Sequence, residues 1–71
     1  MNTPTAEEIK ATRTNMGMSR LEFAGHLLDI SPEHMEIVRQ VATLERSIQL
    51  WETDVRSPSP KNLRLLRSRT T

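Results

Sequence analysis

Apolar residues recur along this chain at intervals of three and four, the spacing of one face of a helix. The longest stripe is Ile37, Val41, Leu44, Ile48, Trp51 and Val55, spaced 4, 3, 4, 3, 4. Met35, Val38 and Ala42 form a second stripe, confined to the first half. Residues 32–42 are therefore apolar on two faces, and residues 44–55 on one. Ala24, Leu27 and Leu28, flanked by Leu21 and Phe23, mark another buried helical face. Leu63 and Leu66, with Leu65 beside them, mark a third. Ile9, with Met16 and Thr12, gives a weaker one near the start.

The polar residues between these stripes supply helix starts and stops. Met1 to Pro4 read as a loose arm. Thr5-Ala6-Glu7-Glu8 is a capping box, in which the Thr oxygen accepts from a backbone N–H while Glu8 reaches back. It predicts a helix from about Ala6 to Met16, ended by Gly17 in the left-handed region. Ser19-Arg20-Leu21-Glu22 is a second capping box. Gly25, inside the helix it opens, costs about 1 kcal/mol against Ala. Asp29-Ile30-Ser31-Pro32 is a turn and a fresh start, with Ser31 as N-cap and Pro32 preorganised behind it. No Gly or Pro then appears until Pro58. This leaves either two helices, 32–42 and 44–53, or one of more than twenty residues. Arg56-Ser57-Pro58-Ser59-Pro60 is a turn, and Ser59 and Pro60 open a last helix. Residues 67–71 are expected to fray. The pattern predicts a single all-α domain over residues 1–71.

Composition narrows what such a domain can do. With 71 residues it buries only about 60% of its unfolded surface, so self-association is an expected source of stability. Aromatic residues are two, Phe23 and Trp51, so the core must be built from Leu, Ile, Val and Met. There is no cysteine, which excludes disulfides and thiolate metal sites and fits a reducing, cytoplasmic setting. No apolar run approaches the roughly 20 residues of a membrane span, and no signal peptide is recognisable. Charge is unevenly placed. Residues 1–55 carry nine carboxylates against five cations, a net of −4, while residues 56–71 carry five cations and no carboxylate, a net of +5. A basic segment on an acidic body suits an anionic partner, or it is simply a solvated tail.

Several kinds of chemistry have no support in the residues. His26 and His34 lie eight positions apart with no third ligand clustered near them, so no metal is expected. Two glycines cannot form a phosphate-cradling loop. The serines have no base and orienting acid in a recognisable frame, and so short a helical chain has little room for a catalytic pocket. The reading is of a protein that is not an enzyme and needs no cofactor. Methionines 16, 18 and 35 read as core filler. Trp51 reads as a core anchor rather than a stacking platform.

Two sets of residues resemble a known family. One is Ser47-Ile48, Trp51-Glu52, Arg56, Pro58-Ser59-Pro60 and Leu63-Arg64-Leu65-Leu66. The other is Glu8-Ile9-Lys10-Ala11, Arg13, Gly17-Met18-Ser19, Glu22-Phe23-Ala24 and Leu27. Each motif is short, but in this order they resemble the helix-turn-helix DNA-binding domains of Cro/C1-type (xenobiotic-response-element) regulators. The resemblance covers most of the chain except about residues 29–43. It implies a lambda-repressor-like fold of about five helices, with a recognition helix from about Leu44 to Thr53 lying in the major groove of double-stranded DNA. Carried over by position, Glu45, Arg46 and Gln49 face base edges, while Arg13, Arg20, Ser47 and Arg56 reach phosphates. Ile48 and Trp51 hold the helix to the core.

This chain departs from the family in three places. Arg20 stands where the family usually has Gln, which keeps phosphate binding but loses a bracing contact. The Gly-containing turn after the second helix is absent, with Asp29 the nearest substitute. Ala24 and Trp51 are 27 positions apart, roughly twice the family spacing, so residues 30–43 form an atypical insertion. One straight helix over 32–54 would drive that insertion into the duplex, so a break near Ala42–Leu44 is expected. The functional expectation is a homodimeric transcriptional regulator, a repressor of phage or plasmid type reading a palindromic operator. The alternative is an antitoxin-like or inhibitor module that binds a protein through the stripe of Met35, Val38 and Ala42. The same stripe is the candidate dimer interface.

Overall fold

The computed structural model of the protein describes residues 4–34 and 38–70. It is all-helical, with no strand among the described residues. Among the described residues there are four α-helices, against about five expected: α1 (Ala6–Asn15), α2 (Arg20–Leu27), α3 (Arg39–Glu52) and α4 (Pro60–Thr70), with a 3-10 turn at Pro32–His34 between α2 and α3. No helix is long and apolar enough to cross a membrane, among the described residues.

The helix starts form as their local chemistry dictates. Thr5 Oγ1 accepts from Glu8 N at 3.1 Å, and Glu8 Oε1 accepts from Thr5 N at 3.1 Å. Ser19 and Glu22 close the same reciprocal pair at 3.2 and 2.9 Å. The two backbone and hydroxyl bonds from Ser19 hold the Glu22 carboxyl below its ordinary pKa. Ser59 Oγ accepts from Asn62 N at 3.3 Å, which caps α4 behind Pro60.

Three helices end on one device. Gly17, Asp29 and Asp54 adopt φ of 70°, 58° and 61°. In each case the following N–H bonds back five residues: Met18 N to Arg13 O, Ile30 N to Gly25 O, and Val55 N to Leu50 O, at 3.3, 2.9 and 3.0 Å. This is the Schellman closure of the orphan carbonyls. Asp29 and Asp54 thus occupy the left-handed position that glycine fills more cheaply.

The core is Ile9 from α1, Phe23, Ala24 and Leu27 from α2, Val41, Leu44, Ile48 and Trp51 from α3, and Leu66 from α4. Met18, Leu21, Leu28, Ile30, Val38 and Leu63 pack around it. α3 is the central element and lies against both α1 and α2. Pro58 is buried and pins the connector from α3 to α4.

Four expectations need correction. The break does not fall at Ala42–Leu44, and residues 32–42 are not a helix. After one 3-10 turn the chain becomes extended at Val38 (φ −93°, ψ 109°), and α3 then runs unbroken from Arg39. The stripe from Val41 to Trp51 keeps its phase because it belongs to one helix. Of the second stripe, Val38 and Ala42 do not share a helix face. Val38 lies outside the helix and packs against the core, Ala42 is exposed on α3, and Met35 lies outside the described residues. Met16 is not core: as the C-cap of α1 it is 37% exposed. The tail, too, is helical through Thr70, where His26 Nε2 bonds Arg69 O at 2.9 Å and the Arg69 guanidinium meets Asp29 at 3.4 Å.

Candidate nucleic-acid interface

The α3 helix presents two chemically distinct faces. Val41, Leu44, Ile48 and Trp51 point inward, while Arg46, Gln49 and Thr53 are exposed and Glu45 is half-buried. A helix turns about 100° per residue, so this division follows directly from the spacing of the apolar positions. Glu45, Arg46 and Gln49 line one open recess together with Leu50 and with Arg20 of α2. Three side chains expected to face bases are thus beside one expected to face phosphate.

The other candidates lie elsewhere. Ser47 is half-buried on the opposite flank of α3, in the groove toward α4, and its Oγ donates to Thr43 O at 3.2 Å. Arg56 is exposed in the connector after α3. Arg13 is turned inward, with its side chain only 12% exposed. Its Nε and Nη2 donate to the two carboxylate oxygens of Glu52 at 2.7 and 3.0 Å, and its Nη1 donates to Met18 O at 2.9 Å. A guanidinium with all three nitrogens engaged in this way is a brace, not an arm held out to solvent.

Glu52, part of the motif but given no role from the sequence, is the centre of this brace. Its side chain is 1% exposed. Besides the fork from Arg13 it accepts from Arg20 Nε at 3.2 Å. One carboxylate therefore joins α1, α2 and α3. Burial pushes the Glu52 carboxyl pKa up, but the hydrogen bonds and charges of Arg13 and then Arg20 outweigh it, and the group titrates below the usual range. The hydrogen bond to Glu52 likewise raises Arg13. Bidentate pairs of this kind fix orientation as well as adding energy. Arg20 thus braces α3 through Glu52. Its side chain remains 37% exposed, so the same guanidinium braces α3 and borders the recess.

Comparison of the chain with protein-family models, with characterised proteins and with solved structures finds no match. The residues and their arrangement therefore carry the functional argument. Among the described residues no group of three or more His, Cys, Asp or Glu side chains is placed to hold a metal ion. The recess beside Arg20 and the groove toward α4 are open troughs rather than enclosed cavities.

Proposed function

We propose that this protein is a helix-turn-helix, sequence-specific DNA-binding regulator that reads the major groove with the outer face of α3. One observation carries the reading: Glu45, Arg46 and Gln49 share an exposed recess with Arg20 on a helix whose opposite face is locked into the core. These side chains have the chemistry of base readout. Arg pairs bidentately with guanine, Gln with adenine, and Glu accepts from cytosine. Arg20 supplies a cation at the edge of that face, suited to a phosphate that sets register. Arg56 and the exposed basic residues of α4 add a sequence-independent attraction. α2 and α3 serve as the paired helices, joined here by a connection that contains the 3-10 turn. A regulator of this type represses by occupying a promoter, and a palindromic site would be read by two copies.

The test is selection of duplexes from a random pool, followed by affinity measurements between about 50 and 200 mM salt. Recovered sites should share a consensus, and affinity should fall steeply with salt. Arg46→Ala and Gln49→Ala should each cost about 1–3 kcal/mol on the selected site and relax preference at one base position. Recovery of no consensus, or binding indifferent to salt, would sink the proposal. The protein-binding alternative draws on Met35, Val38 and Ala42, of which Val38 packs against the core, Ala42 is exposed and Met35 lies outside the described residues.

A further inference from the structure

We infer that the groove between α3 and α4 is a second DNA-backbone contact, which grips the strand on the side of α3 away from Arg20. The inference rests on the DNA-binding reading and deepens it. Ser47 is two positions beyond Glu45, so it stands about 200° around the helix from the recess that holds Glu45 and Gln49. It lines a separate trough of about 500 Å³ together with Arg39, Gln40, Lys61 and Asn62, over a floor of leucines. Arg39 comes from the first turn of α3 and Lys61 from the first turn of α4, and both are exposed. Among the described residues no carboxylate lines this groove, although residues 1–55 are net acidic.

A trough with two cations from different helices, several neutral donors and no acid fits an anion. Its open form suits an extended polyanion better than a small molecule, which an enclosed cavity would hold. α3 then has a cation on each flank, Arg20 on one and the pair Arg39 and Lys61 on the other. A helix lying in a major groove about 12 Å wide has a phosphate backbone on either side. The arrangement would hold α3 between the two strands and fix its rotation about its own axis.

The test uses the full chain and a duplex selected by it from a random pool. The Arg39→Ala/Lys61→Ala double variant should lower the slope of log affinity against log salt by about 1.8, roughly 0.9 for each contact. Base preference should not change. Arg39→Lys and Lys61→Arg should each keep the slope, because they keep the charge. Both residues are exposed, so the melting temperature should hold and a loss of slope cannot be assigned to unfolding. A wild-type chain that binds its duplex with a slope the double variant leaves unchanged overturns the inference and spares the DNA-binding reading. A wild-type chain that selects no duplex overturns both. Titration with inorganic pyrophosphate covers the remaining case. If the double variant loses pyrophosphate binding but keeps the duplex slope, the groove takes small anions and the inference fails.

Discussion

The two ends of α3 are held very differently. At its C-terminal end Trp51 is 4% exposed, Glu52 ties three helices together, and Asp54 closes the last turn through two backbone bonds. At its N-terminal end the cap is Val38, which offers no side-chain hydrogen bond. The first turn contains no acid, and Arg39 sits there against the positive end of the helix dipole. Val41 alone of the first four residues is buried. The lesson is that Glu45 and Arg46 at mid-helix and Gln49 nearer the anchored end are held by a helix whose inner face is set in the core.

The largest expected effect comes from breaking the anchored end. Glu52→Ala strands the Arg13 guanidinium in a nearly buried site, and removing one partner of a buried pair costs about 3–5 kcal/mol. For a domain of this size that is much of the total stability. Urea unfolding should show it, and a loss under 1 kcal/mol would mean that the three-helix tie is ornamental. Ile48→Ala, in the fully buried stripe, should cost about 2–5 kcal/mol by the same measurement.

Acid probes the same end without mutation. Because the native Glu52 carboxyl is depressed, the unfolded chain binds more protons and stability rises with pH through the carboxylate range. That stabilisation is present above the ordinary Glu value of about 4.3 and is lost as pH falls through the lower native value. Glu22 adds a contribution of the same sign. Melting temperature should therefore drop below about pH 4.3, and the drop should be shallower in Glu52→Gln. An equally steep drop in that variant would remove Glu52 as the cause.

The smallest effect lies at the helix stop. Asp54→Gly relieves the left-handed backbone but adds freedom to the unfolded chain, so a gain of less than about 1 kcal/mol is expected. A clear loss would show that the Asp54 side chain holds the turn. Hydrogen exchange would sharpen the comparison directly, with amides of residues 47–52 outlasting those of 41–44.

Much of this was legible in the sequence. Both capping boxes, the start of α4 at Pro60, and the inward phase of Val41, Leu44, Ile48 and Trp51 follow from local rules and the 3.6-residue period. The place where α3 begins did not, because nothing at Val38 signals a cap. An apolar N-cap is chosen by packing, which a linear pattern does not encode. For the same reason Met35, Val38 and Ala42 looked like one face: helical spacing was assumed across a segment that is extended at Val38. Glu52 had a signal that could have been read, since it stands four residues after Ile48 at the margin of the buried stripe. Its partners could not be read. Arg13 and Arg20 are 39 and 32 positions away, and only the fold brings them to one carboxylate. That fold turned Arg13 from an expected phosphate contact into a brace.

The chain has a single tryptophan, and it sits on the inner side of α3. Its indole is therefore a built-in optical gauge of the core. Unfolding should shift its emission to the red as water reaches the ring, while a ligand docking on the outer face of α3 should leave it dry and nearly unmoved. One fluorescence channel can thus separate loss of structure from occupancy of the surface, with no label attached.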